Sequence, residues 1–183
     1  MVYISGGNEL LNPTTILSRI GIKTGAKIAD LGCGSSGHFI IPAAYLVGSQ
    51  TTVYAVDILK SVLRSVVSVA RLEGVNNIKP VWSNLEIFGA TKIKSNSLDF
   101  VLLINNLFQT KKIENIIKEA IRLLKPEGKL LIIDWNQTPT SFGPPLSDRV
   151  KAEAVKKVTK NLNLKLIDDF AAGTYHYGLI FEK

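Results

Sequence analysis

Two spacings of apolar residues alternate along the chain. Short, mostly apolar runs at 27–31, 51–56, Ile78–Trp82, Leu98–Ile104 and 129–134 have the pattern of buried strands. Between them, apolar positions recur at steps of three and four. Leu59, Val62, Leu63, Val66 and Ala70 predict a helix over 58–73 that stops at Gly74, although its valines favour strands. Ile113, Ile116, Ile117, Ala120, Ile121 and Leu124 predict another, which ends at Lys125-Pro126-Glu127-Gly128. Asn12 and Pro13 predict the cap and first turn of a short helix closed by Gly21. The run after Gly37 predicts a helix from near Phe39 to Gly48, which keeps Pro42 in its first turn.

Beyond Asp134 the alternation changes. Leu146, Val150, Ala154, Val158 and Leu162 predict a helix capped by Ser147, with Arg149, Glu153, Lys156, Lys157 and Lys160 facing solvent. Segments 163–170 and 174–182 are strand-like, and the short link between them predicts an antiparallel hairpin. The expected class is therefore α/β: a doubly wound, seven-stranded, mostly parallel sheet with one reversed strand near an edge. One domain is expected over 1–183, in which 1–26 form a short N-terminal helical lid.

Composition narrows this picture without redirecting it. A chain of 183 residues, 46% hydrophobic and 20% charged, is a globular domain rather than a disordered one. No apolar run approaches the ~18 residues of a membrane span, and the first residues lack a signal-peptide layout. The single cysteine, Cys33, rules out an intrachain disulfide and fits a cytoplasmic setting. Two histidines and one cysteine leave little from which to build a histidine or cysteine metal site. The net charge of +7 comes mainly from scattered lysines, read as solvated helix faces rather than a nucleic-acid tract.

The chemistry gathers where strands end. Asp30 precedes a glycine turn, Gly32-Cys33-Gly34-Ser35-Ser36-Gly37, that leads into a helix. Such a turn lets backbone approach a nucleotide-like ligand. Its spacing satisfies G-x-G-x-x-G, and Asp57 lies 20 residues after its last glycine, so a nicotinamide oxidoreductase is one reading. Against it, the chain lacks a second half for nicotinamide and substrate.

Taken together, the pieces resemble the class I S-adenosylmethionine-dependent methyltransferases, from about Asn12 onward. Asp30-Leu31-Gly32-Cys33-Gly34 is similar to that family's first motif, and the resemblance implies that this loop wraps the methionine portion of S-adenosylmethionine. Asp57 matches the acidic residue that takes both ribose hydroxyls, with Ile58 beside it; a carboxylate offers two acceptors to a vicinal diol. Asn84 and Leu85 stand at the adenine position, with Asn84 in place of the usual Asp. Asn105 and Asn106 end the fourth-strand motif near the sulfonium. Ser36 replaces the motif's third glycine and is expected to reach the ligand through its hydroxyl. Residues 123–134 resemble the turn and fifth strand of small-molecule methyltransferases, so a small acceptor is favoured over RNA or protein, on a monomer or homodimer. A non-catalytic scaffold with the same fold is the alternative.

Among the remaining groups, Cys33 is read as a small buried residue at the loop rather than a nucleophile. His38 is expected to contact backbone, and His176, between Tyr175 and Tyr177, to pack. Phe142 and its neighbouring prolines leave the end of the fifth strand, where they could wall an acceptor pocket.

Overall fold

The computed structural model describes residues 10–183. The expected lid segment 1–26 therefore lies partly outside the described residues. Seven strands form one sheet: β1 (Ile28–Leu31), β2 (Val53–Asp57), β3 (Ile78–Trp82), β4 (Leu98–Ile104), β5 (Leu124–Trp135), β6 (Lys165–Gly173) and β7 (His176–Glu182). Their spatial order is β3-β2-β1-β4-β5-β7-β6. The first five strands run parallel, and β7 is antiparallel to both neighbours, β5 and β6. The reversed strand expected near an edge is thus β7, wedged between β5 and the edge strand β6.

Helices cover both faces. On one lie α1 (Pro13–Ile20), α2 (Ile40–Val47) and α3 (Lys60–Leu72), packed through Leu17, Ile20, Ile40, Leu63 and Val66. The other carries α4 (Ile113–Leu123) and α5 (Ala152–Asn161), packed through Ile116, Ile117, Leu123 and Val155. β1 is buried along its whole length, which explains why its sequence shows no alternation. Asn12 caps α1 by accepting the Thr15 N–H at 3.1 Å, and Gly21 ends it in the left-handed region at φ 85°. α1 packs into the core through Leu17 and Ile20, and Arg19 at its end pairs with Asp168 of β6 at 2.6 Å.

One predicted helix is displaced. The segment 146–151 is not helical apart from a single 3₁₀ turn at Leu146–Asp148, and α5 starts only at Ala152 with Lys151 as its cap. Pro144 and Pro145 stiffen the approach, so Ser147 caps nothing. The helix consequently buries Val155 and Thr159, while Val158 and Leu162 pack only in part and Ala154 is exposed. Arg149, expected on a solvated face, is buried. Its guanidinium donates to the carbonyls of Pro144 (2.9 Å), Asn136 (3.0 Å) and Thr138 (2.7 Å) and lies 5.2 Å from the Trp135 ring centroid. No helix among the described residues is long and apolar enough to cross a membrane.

Candidate active site

Parallel strands bring their C-terminal ends to one edge of the sheet, and β1, β2 and β4 deliver Asp30, Asp57 and Asn105 there. The loops that follow enclose two cavities meeting at Gly32 and Gly34. The larger, about 540 Å³, is walled by Asp57, Ile58, Asn84, Leu85 and Glu86. The smaller, about 280 Å³, is bounded by Asp30, Cys33, Phe39, Asn105, Trp135 and His176.

Gly32 is the hinge of this arrangement. Its φ of +74° is a region L side chains rarely adopt, and a Cβ there would lie 1.9 Å from Asn106 Oδ1. Asn106 has no room to retreat, because its Nδ2 reaches the carbonyls of Leu31 (3.0 Å), Gly32 (3.3 Å) and Ile104 (2.7 Å). This side chain ties the end of β4 to the turn after β1. The N–H groups of Gly32 and Cys33 both donate to Val56 O, at 2.7 and 3.1 Å, which fixes the turn against β2. Gly34 also has positive φ, +66°, yet has open space where a Cβ would stand. Gly32→Ala should therefore destabilise the fold by about 2–4 kcal/mol, from backbone strain plus the clash, and Gly34→Ala by only about 1–2. Paired denaturant titrations test this; equal losses would show that the Asn106 contact is unimportant.

The site's acidic groups differ sharply in their surroundings. Asp30 is buried, and its carboxyl is pushed up to about 7, first by loss of water and second by the Asp57 charge. Asp57 is partly open; its Oδ1 accepts the Leu59 N–H at 2.9 Å, which leaves the second oxygen for a ligand. Asn84 Oδ1, expected to meet an adenine amine, already accepts the Glu86 N–H at 2.9 Å. Burial, with Asp30 and Asp57 nearby, pushes the Cys33 thiol far above its ordinary range, so it is protonated and inert. Ser36 is not brought to either cavity. It is exposed on a separate depression beside Pro13, Thr14 and Ile41.

His38 contacts backbone as expected, and further groups close the site. His38 Nε2 donates to Leu11 O at 3.0 Å, so the segment before α1 is tied to the glycine loop, and Leu10 and Leu11 complete the smaller cavity. Trp135, at the end of β5, forms another wall and is itself covered by Gly143, whose absent Cβ would lie 2.5 Å from the indole. Behind it, Asp134 accepts the N–H groups of Leu107 and Trp135, both at 2.8 Å; its carboxyl is nonetheless raised to about 6 by burial. Phe142 sits against Trp135 and Tyr175, outside the cavity wall.

This geometry suits a nucleoside cofactor with a charged amino-acid arm. A glycine cradle admits backbone approach, an open carboxylate oxygen at β2 can take a diol, and a buried carboxyl at β1 can take an ammonium group. Comparison with known proteins agrees. Residues 22–174 match the family described as "Methyltransferase domain". A demethylmenaquinone methyltransferase of Geobacillus stearothermophilus is 27% identical over 128 residues, 70% of this chain and 53% of that protein. A ubiquinone/menaquinone biosynthesis C-methyltransferase of Yersinia enterocolitica is 30% identical over 118 residues, 64% of this chain and 45% of that one. The chain spans about half the length of these curated relatives. Among solved structures, a SAM-dependent methyltransferase from Aquifex aeolicus superposes with a TM-score of 0.88 at 22% identity, covering 97% of this chain and 92% of its own. The [4+2]-cyclase SpnF superposes at 0.77 with 14% identity, covering 93% and 80%, a sign that fold alone does not specify methyl transfer. The family match over 22–174 is the stronger ground, and by it the chain belongs to the class I S-adenosylmethionine-dependent methyltransferases.

Proposed function

We propose that the joined cavities hold S-adenosylmethionine and that the chain transfers its methyl group to a small acceptor. In this reading the larger cavity takes the nucleoside, with Asp57 and Ile58 at the ribose and Asn84 and Leu85 at the adenine. Gly32, Cys33 and Gly34 pass beneath the methionine portion, Asp30 faces its ammonium group, and Asn105 stands near the sulfur. The observation that carries the proposal is the pair of carboxylates, Asp30 and Asp57, at adjacent strand ends on either side of a turn where Gly32 admits no side chain. Ser36 has no part in it.

The bound cofactor supplies an already activated methyl group. What remains for the protein is to align the acceptor and keep water out, and no strong base is needed unless the acceptor begins protonated. The relatives named for quinone biosynthesis favour a small ring-bearing acceptor over a macromolecule. A cytoplasmic location suits the lone buried cysteine.

Calorimetry with S-adenosylhomocysteine tests the reading directly, and absence of binding below millimolar concentration would refute it. Asp57→Ala should weaken that binding by about 1–3 kcal/mol through loss of charged hydrogen bonds to the ribose. Unchanged affinity would reject the ribose assignment while leaving the cofactor itself in place.

A further inference from the structure

Two residues that bound the smaller cavity carry polar atoms left without a partner among the described residues. His176 is 1% exposed, and neither of its ring nitrogens has a hydrogen-bond partner among the described residues. Asn105 Oδ1 is buried and equally without a partner. The two residues come from different elements, the end of β4 and the start of β7, yet both bound the same cavity. Leaving such atoms unpaired costs about 1–3 kcal/mol each, so a ligand group that pairs with them gains that much.

Asn105 is also held in an uncommon conformation. Its φ is +56°, and its N–H donates to Ile133 O at 2.8 Å, so its backbone is fixed where β4 ends. His176 is fixed as firmly. It stands opposite Trp135 in the β5–β7 register, with its ring 4.3 Å from the indole. Burial first, and the Arg149 charge second, push its imidazole down to about 4, so at neutral pH the ring offers one donor and one acceptor. Leu10, Leu11, Phe39, Ile104 and Trp135 supply apolar wall, and Asp30, His38 and Gln109 the remaining polar groups.

We propose that the part of this smaller cavity next to His176, Trp135 and Phe39 is the acceptor site, beside the Asp30 side that takes the methionine portion, and that His176 and Asn105 together bind a hydroxyl group on an otherwise apolar, ring-sized acceptor. A hydroxyl can donate to one of these atoms while accepting from the imidazole N–H, which satisfies groups the fold leaves open. The flat indole and the phenyl ring of Phe39 suit the acceptor's planar body. His176 is here a binding and orienting residue, and no proton need pass to it. The inference rests on the methyltransferase reading of the site, because it takes the larger cavity and the Asp30 side of this one to be occupied by the cofactor.

Two aromatic probes separate the possibilities: 2-naphthol, which can donate a hydrogen bond, and 2-methoxynaphthalene, which cannot. Titrated into protein saturated with S-adenosylhomocysteine, 2-naphthol should bind at least about tenfold more tightly than its ether. His176→Phe should remove most of that preference, leaving the affinity for the ether within about threefold and cofactor binding unchanged. Should that variant fail to fold, His176→Gln and the imidazole ¹⁵N signals of the unaltered protein serve instead. With only two histidines in the chain, the His176 resonances should move on addition of 2-naphthol while those of His38 stay in place. No binding of 2-naphthol, equal binding of both probes, or a silent His176 would overturn the proposal. Failure of S-adenosylhomocysteine to bind would instead strike the methyltransferase reading beneath it.

Discussion

Replacing Glu119 with alanine should lower the unfolding free energy by about 3–5 kcal/mol, the range expected when one partner of a buried ion pair is removed. Glu119 lies on the buried face of α4 with none of its surface exposed. Its Oε2 accepts the Gly89 N–H at 2.8 Å and Arg122 Nε at 2.9 Å; Oε1 accepts the Thr91 N–H at 3.0 Å and Arg122 Nη2 at 2.8 Å. Burial alone would raise this carboxyl, but the Arg122 guanidinium and the Gly89 and Thr91 N–H groups overcome it and hold the group at about 2. Arg122 continues the network to Thr91 O (2.8 Å), Ile93 O (3.2 Å) and Ser95 Oγ (2.8 Å). One helix face thereby pins the long connection between β3 and β4, whose first residues, Asn84 to Glu86, wall the larger cavity. The substitution should weaken S-adenosylhomocysteine binding as well as stability. A loss below about 1 kcal/mol in denaturant unfolding would show that the network contributes little.

Stability of the ligand-free protein should fall as pH rises from about 4 to 7, by up to about 4 kcal/mol from Asp30 alone. Asp30 titrates near 3.9 when unfolded and at about 7 when folded, so across that interval the folded state binds the additional proton. The stabilisation is complete below the unfolded value and is lost as pH climbs through the folded one. Asp134, raised to about 6, acts in the same direction over a narrower window. Glu119 works oppositely: its contribution is present above about pH 4 and disappears as pH falls toward 2. Asp30→Asn should flatten most of the decline, leaving the smaller part due to Asp134. Binding a cationic ligand beside Asp30 should favour its ionised form, so S-adenosylhomocysteine binding near pH 7 should release a proton. Calorimetry in buffers of different ionisation enthalpy measures this, and zero proton release would separate Asp30 from the ammonium group.

The strands and the glycine turn were legible because each has its own local signal. β4, between other strands, is a nearly unbroken apolar run; Gly32 and Asp57 stand where a strand meets its loop. Residues whose role comes from distant partners were not legible. Glu119 sits among Ile116, Ile117 and Ala120, where apolar periodicity directs attention to its neighbours, and only Arg122 three positions on hints at a buried pair. Arg149 fitted the outer face of a regular helix, and the non-helical approach through Pro144 and Pro145 instead turns it onto Trp135. His176 was hidden for another reason. Nearly every position of β7 is buried, so alternation cannot distinguish a packing residue from one that reaches a cavity. Motif spacing does not show which way a turn faces: Ser36 lines neither cavity and is exposed beside Pro13 and Thr14.

The wedged position of β7 governs the order in which the sheet can be assembled. Strands β1 to β5 pair with one another in parallel, but β6 pairs only with β7. Until residues 176–182 are available, β6 has no partner and β5 keeps one open edge, a template for mispairing between chains. Sheet closure must therefore wait for β7, the last of the seven strands in chain order, even after β1 to β5 have been translated. A nascent chain halted before His176 should expose that edge to self-association. Closure of this sheet during translation would then be one late step, the insertion of β7, which also brings His176 to the cavity.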